Sequence, residues 1–501
     1  MKKGLNLSVV LLIFLVFSCS SSHSPNDSDM IPDSDTDTHD SEIQDDDFDS
    51  QSSEIVDDSD EIPDFDSDLE EPVPNDDEEE DEEDDEDEDE EIDDTDRING
   101  YKRCYNETPD EPYEGLFADP KLESQIKQIL GYDEDYELTE EDLEKVKEIT
   151  FLSVKDIRGV EKLVNLETVQ ISTGKIYDYT PLSKLKKLKK VVIDAASMTC
   201  LDGSFSFLTN LETLEIIETK LTDVSPVEQL VNLKTLDLGD NQIEFLPKNI
   251  GNLQKLEYLA FSHNNVLNIK PLKYLTNLQK LFFHYNYVED ISPVKKLVNL
   301  TYFGAQGNQI KDISAVAKLV NLTWLGLNNN QIEKIPEEII NLKKLQTLEL
   351  SFNNISNLPA LEGLNSLDTL WFDNNELNDN DLITLDALEH VRFLDIALNR
   401  ITKVPIMKNL KSLKELYLNY NSITDLSGFA DNESFPALKS VYLGSNKISN
   451  AEALRQRQGL NRLSIGKNCI TDLSPLEELQ ERGTYISGMN EQLESCEDTG
   501  E

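Results

Sequence analysis

Trp324 and Trp371 are the two tryptophans of this 501-residue chain, and Tyr258, Phe282, Tyr302, Tyr417 and Tyr442 share their spacing. All fall at one of two offsets inside a motif that returns every 22 to 25 residues, so folding must line them up in columns. Aromatic columns offer large contact area and are enriched in binding hot spots. The alternative is cross-strand ring pairing that only stabilises a sheet. Gly304 and Gly326 share the columns and leave room beside Tyr302 and Trp324 for a flat ring or an entering ligand, while His263, Tyr285, Phe352 and Tyr420 follow at the edge. Asp237, Asp373 and Asp395 read as solvated carboxylates of the same face, attractive to a partner with basic patches. With Asp395 added, those seven rings form the candidate binding set.

Catalytic chemistry finds less support. His263 and His284 lie one repeat apart and can approach each other, but the sequence offers no third metal ligand. It shows no Ser-His-Asp set, phosphate-cradling glycine loop or paired-carboxylate pocket. The expectation is a protein without enzymatic activity, cofactor or metal.

The element that must position these side chains is visible in the apolar pattern Leu-x-x-Leu-x-Leu-x-x-Asn. It reads Leu233-Leu236-Leu238-Asn241, Leu322-Leu325-Leu327-Asn330, Leu345-Leu348-Leu350-Asn353 and Leu413-Leu416-Leu418-Asn421. A period of about 20–29 residues with this signature means a leucine-rich-repeat solenoid. That is an α/β fold with a curved parallel sheet inside and an irregular or short-helical convex side. The first, fourth and sixth positions point inward, and the third, fifth and seventh look out from the sheet. About fifteen coils start between Val146 and Leu460. Asparagines from Asn241 to Asn468 form a ladder of buried amides that satisfy backbone groups of the next coil. Gly174, Ala196 and Thr219 take that position in the first coils, which are expected to be less regular. Ser-Pro after the ladder, as at Pro293 and Pro475, suits the convex side.

Two short helices precede the repeats. Asp119-Pro120 starts the first, with Leu122, Ile126, Ile129 and Leu130 on one face and Gly131 ending it. Thr139 caps the second. Together they are expected to cover the first coil as an N-terminal helical cap. The cap ending in Leu-Thr-x-x-Asp-Leu, the 22-residue coil and the run Ile-x-Asp-Ile-x-x-Leu-x-x-Leu-x-Asn-Leu resemble the bacterial internalin-like leucine-rich-repeat proteins over residues 115–490. The resemblance implies a surface protein that binds host or cell-surface partners through its concave face. The chain differs in having no immunoglobulin-like domain after the repeats and no C-terminal wall-sorting signal, so host invasion is not carried over.

Lys2-Lys3 and the apolar run Leu7–Phe17 have the charge and length of a signal peptide (residues 1–18). Val16-Phe17-Ser18-Cys19 resembles a lipoprotein lipobox, which implies lipidation of Cys19; the alternative is an ordinary secretory signal. Ser20 lacks the aspartate resembling an inner-membrane retention signal, leaving an outer-membrane or surface address open. Residues 20–99 hold 40 acids against Arg97, whereas 100–501 hold 60 acids and 42 bases, net −18. The stretch 19–99 has too few apolar residues to offset its ordering entropy and reads as a disordered, extended tether. Asp33, Asp35 and Asp37 alternate as in calcium loops, without the turn glycine. Such negative charge argues against nucleic acid. Cys104, Cys200, Cys469 and Cys496 permit two disulfides in an exported chain, with buried thiols as the alternative. Cys469 with Cys496 would staple the C-terminal end, and Cys104 with Cys200 the N-terminal one.

These segments order as signal 1–18, tether 19–99, cap 100–145, repeats 146–480 and C-terminal cap and tail 481–501. The expected function is a lipid-anchored cell-envelope protein binding a protein partner. A carbohydrate-binding adhesin and a structural envelope protein without discrete ligand stand as alternatives.

Overall fold

A computed structural model describes residues 97–102, 104, 112–174, 176, 178–196 and 198–497. The chain divides into two units, Met1–Glu86 and Asp87–Glu501, and every described residue belongs to the second. Cys19, the signal segment and nearly all of the acidic stretch lie outside the described residues. Arg97–Asn99, assigned to the tether from sequence, are described: strand β1 (Arg97–Ile98) pairs antiparallel with β2 (Tyr101–Lys102). This hairpin lies on the solenoid, where Asn99 Nδ2 donates to Ser206 Oγ at 3.0 Å and Tyr101 donates its hydroxyl to Glu228 at 2.8 Å.

The solenoid is one sheet of sixteen parallel strands in chain order, from β3 (Glu148–Leu152) to β18 (Tyr485–Ser487). Fifteen follow the repeat starts read from sequence. The sixteenth, in the segment assigned to the C-terminal cap, escaped that reading because Ile486 is its one inward apolar residue. Most convex returns are single 3-10 turns, several with proline in the first turn, such as Ser292–Lys296. The inward leucines are fully buried, and coils trade volume between the two central inward positions. Leu259 and Leu281 pair with Phe261 and Phe283, whereas Phe303 is followed by Ala305. The three phenylalanines thereby meet through the core, Phe261 stacked on Phe283 at 5.4 Å and Phe303 tilted against Phe283 at 5.7 Å. Alternating large with small keeps the layers filled without strain.

The asparagine ladder tightens each turn. Asn330 Nδ2 donates to the carbonyls of Ala305, Leu327 and Asn328, and its Oδ1 accepts from Ile310 N at 3.0 Å. The bridged coil is the preceding one, not the next as expected, because the amide leaves the strand end turned back towards Ala305 and Ile310. The residue before each ladder asparagine sits in the left-handed region, at φ +53 to +57° for Asp240, His263, Tyr285, Phe352, Leu398 and Tyr420 among others. Where the first coils lack the asparagine, β4 (Thr168–Gly174) and β5 (Lys190–Ala196) run to seven residues instead. Thr219 then joins the ladder by donating its hydroxyl to Asn241. Asn330→Ala removes four hydrogen bonds and strands buried backbone groups. We expect a loss of about 1–3 kcal/mol in urea unfolding, against almost none for the exposed Gln331→Ala.

Helix α1 (Pro120–Leu130) is capped by Asp119, which accepts from Lys121 N, and ends at Gly131 with φ +74°. Leu122 and Ile126 join the core, but Ile129 is 48% exposed, outside the buried stripe expected of it. Helix α2 (Glu140–Leu143) carries a full capping box from Thr139 and Asp142. Lys145 and then Thr139 hold the Asp142 carboxyl far below its ordinary range. Helix α3 (Asp379–Leu385) is an insertion capped by Asn378, and α4 (Ser474–Glu481) closes the convex side at the far end. Disulfides join Cys104 to Cys200 and Cys469 to Cys496, with Cα atoms 5.9 and 5.2 Å apart.

The concave face as candidate functional site

Strand register sets what faces the hollow. Tyr302 pairs with Trp324 and Trp324 with Thr347, while Glu349 pairs with Trp371, Trp371 with Asp395 and Asp395 with Tyr417. Leu325, Leu348, Leu370 and Leu394 alternate with them and are buried, so the rings project to the opposite side.

The rings form two groups rather than one continuous column. In the first, Tyr258 meets Phe282 at 5.9 Å and Phe282 meets Trp324 at 6.1 Å, with His284 beside both. The glycines expected to leave space for a ligand have that space taken by these rings. Trp324 lies over Gly326, and His284 with Phe282 covers Gly304, where an added Cβ would collide with them. A glycine has no side chain to resist a neighbouring ring, so the protein's own aromatics close over it. Tyr302 stands apart, 41% exposed, with Lys280 above its ring at 5.2 Å. The second group is a ladder: Trp371–Phe393 at 4.5 Å, Phe393–Tyr417 at 5.2 Å and Tyr417–Tyr442 stacked at 4.1 Å.

Between the groups runs a polar seam. Trp324 Nε1 donates to Glu349 Oε1 at 2.9 Å, and Asn328 Nδ2 donates to Glu349 Oε2 at 3.0 Å. Asn328 Oδ1 accepts from Ser351 N, and the Ser351 hydroxyl donates to Asp373. Asp395 follows, accepting from Ala397 N at 3.0 Å. These carboxylates are not the solvated groups expected. Burial among rings pushes Asp395 up to about 7, with Asp373 adding repulsion, and burial raises Glu349 and Asp373 as well. Asp237, beneath Tyr258 at the other end, is driven by burial to about 6. Charged carboxylates with little water and no cation are costly, which favours the protonated form.

His284 is lowered by burial to about 4, with His263 opposing its charge, and its Nδ1 accepts from Gln306 N. His263 stacks on Tyr285 at the rim. Among the described residues no group of three or more His, Cys, Asp or Glu is arranged to hold a metal ion, and no helix is long and apolar enough to cross a membrane. Phe393, Glu349, Asp373 and His284 belong to the face but were left out of the candidate set. Their repeat offsets were the available signal.

Two grooves lie elsewhere, along the edge where each coil enters the sheet. One is lined by Lys187, Lys189 and Lys234 with Glu167 and Glu212. There the charges answer one another: Lys189 pairs with Glu167 at 2.8 Å and Lys234 with Glu212 at 2.7 Å.

Sixteen strands, inward leucines and an asparagine ladder define a leucine-rich-repeat fold, and comparison with known proteins agrees. Residues 303–476 match the family model described as a leucine-rich repeat region, and 209–253 match one for two copies of the repeat. The repeats are internalin-like. A crystal structure of an internalin from Listeria monocytogenes is 28% identical, with 74% of this chain and 95% of that one covered at a TM-score of 0.55. A leucine-rich-repeat protein of Leptospira interrogans is 22% identical over 70% of this chain and 97% of its own, TM-score 0.61. A plant peptide hormone receptor in complex with RGF2 is 20% identical over 66% and 60%, TM-score 0.52. The latter two show the fold alone. No curated protein matches the chain.

Proposed function

We propose that this chain is a cell-envelope lipoprotein, anchored through Cys19 and extended on its acidic segment, that binds a protein partner across the concave face. The observation that carries the reading is the set of rings from Tyr258 to Tyr442. They occupy outward sheet positions, contribute nothing to the leucine core, and stay partly open to solvent. The internalin likeness supports an envelope setting. A sugar ligand has less support. Carbohydrates stack on open ring faces, whereas Tyr417 and Tyr442 cover one another and Phe393 is enclosed between Trp371 and Tyr417.

Hot-spot aromatics typically contribute at least ~2 kcal/mol, roughly thirtyfold in affinity. Trp371→Ala should therefore abolish recovery of a partner pulled down from envelope extracts, while the convex Lys295→Ala leaves it intact. Equal recovery with both would move the site off this face. For the anchor, Cys19→Ala is expected to abolish acyl labelling and release the protein from membranes; label retained in that variant overturns the lipoprotein reading.

A further inference from the structure

Across the six coils from Trp324 to Gly444, the outward third, fifth and seventh strand positions hold Glu349, Asp373, Asp395 and Glu415 but no lysine or arginine. This differs from the first coils, where Lys190 pairs with Glu215 at 3.0 Å. Trp371 sits in the middle of the uncompensated charge. Its register neighbours are Glu349 on one side and Asp395 on the other, and Asp373 follows two residues along the chain. Asp395 is 9% exposed, and among the described residues its Oδ2 has no hydrogen-bond donor. One face of Trp371 is engaged by Phe393. The side towards β12 (Thr347–Glu349) adjoins no ring, because Trp324 is turned over Gly326.

We propose that Trp371, Glu349, Asp373 and Asp395 form a seat for an arginine side chain presented by the protein partner. This rests on the concave-face reading and names the chemistry the face selects. A guanidinium within about 6 Å of an indole face is attracted by the ring quadrupole. Strands are about 4.8 Å apart, so carboxylates on β12 and on β14 (Phe393–Asp395) flank the ring within reach of one planar fork. Arginine is favoured over lysine because it stacks and pairs with two carboxylate oxygens at once, whereas an ammonium is a hydrated point charge. Asp395 stands in register between Trp371 and Tyr417, and the charged group acting on it is Asp373, so no cation on these outward positions competes with the incoming charge.

The two tryptophans make the seat observable in the full chain. Indole emission is followed while a Gly-Arg-Gly-Arg-Gly peptide is added at pH 8, with the matching lysine peptide as comparison. We expect a saturable change with the arginine peptide, at least fivefold weaker with lysine, and weakened about tenfold at pH 5, where the carboxylates take up protons. Trp371→Phe should remove the signal and so assign it. Asp395→Asn and Asp373→Asn should each weaken binding by fivefold or more, although binding to residues 20–99 is untouched. Absence of an indole response, or a response unchanged by both asparagine variants, overturns the proposal. If Trp371→Ala still loses the extracted partner in that event, the concave-face reading stands and the arginine seat alone has failed. Equal responses to lysine and arginine also overturn it, in favour of a general cation site.

Discussion

Phe283→Ala is expected to destabilise the repeat domain by about 3–5 kcal/mol, the usual range for removing a fully buried phenylalanine. Its ring packs between Phe261 and Phe303, so the cavity would open in the middle of a three-coil layer. A solenoid coil contacts only its neighbours, and stability is close to a sum of coil and interface terms. A lesion at this point therefore weakens two interfaces at once and can separate the array into halves. Calorimetry should show a transition at lower temperature, split from that of the coils beyond. Tyr302→Ala in the same coil neighbourhood should shift the melting temperature little, because that ring is exposed and outside the core. Phe282 and His284 flank Phe283 in the chain and project to the concave side, so the lesion should also disturb the first aromatic group. A single unshifted transition in Phe283→Ala would contradict the packing described here.

The strands were legible because a solenoid repeats one local solution, and burial of Leu322, Leu325 and Leu327 is dictated by offset alone. The facing of Trp324 and Trp371 followed from the same alternation. What a side chain does after leaving the sheet was not legible. Trp324 leans over Gly326 and Trp371 towards Phe393, choices set by which neighbouring positions are empty, so two tryptophans of one face belong to different groups. The carboxylates were misread for a related reason. Asp395 is outward by alternation, and outward normally means solvated, but it stands in register between Trp371 and Tyr417 and is left only 9% exposed. Ile129 shows the opposite error, an apolar residue at helical spacing that finds nothing to pack against. The hairpin at Arg97–Lys102 carried too few apolar residues to stand out from the acidic stretch beside it.

The buried carboxylates give the second large effect, an inverted pH dependence of stability. A carboxyl whose folded pKa lies above its unfolded value of 3.8 binds more protons in the native state, so stability falls as pH rises through the folded value. Asp395 at about 7 and Asp237 at about 6 act in this sense, and Glu349 and Asp373 add to it. The groups acting on Asp237 are Glu215, itself paired with Lys190, Asp240 and Tyr258. Their stabilisation is fully present below about pH 4 and is lost by about pH 7 to 8. Asp142, Asp368 and Asp379 have lowered values and act oppositely, losing their contribution only as pH falls below the ordinary carboxylate range. His284, held by burial at about 4, opposes them by gaining stability as pH rises towards its ordinary value of 6.5. With four carboxyls raised against one imidazole lowered, the repeat domain should still melt higher at pH 5 than at pH 8. Each tenfold change in proton affinity corresponds to about 1.4 kcal/mol, so Asp395 alone can cost on the order of 1–3 kcal/mol at pH 8 after partial relaxation. Asp395→Asn is expected to raise the melting temperature at pH 8, to change it little at pH 5, and to flatten the profile between them. A variant less stable than the parent at pH 8 would mean that the carboxylate is held by a compensating charge, and would place a cation at Trp371 before any partner arrives.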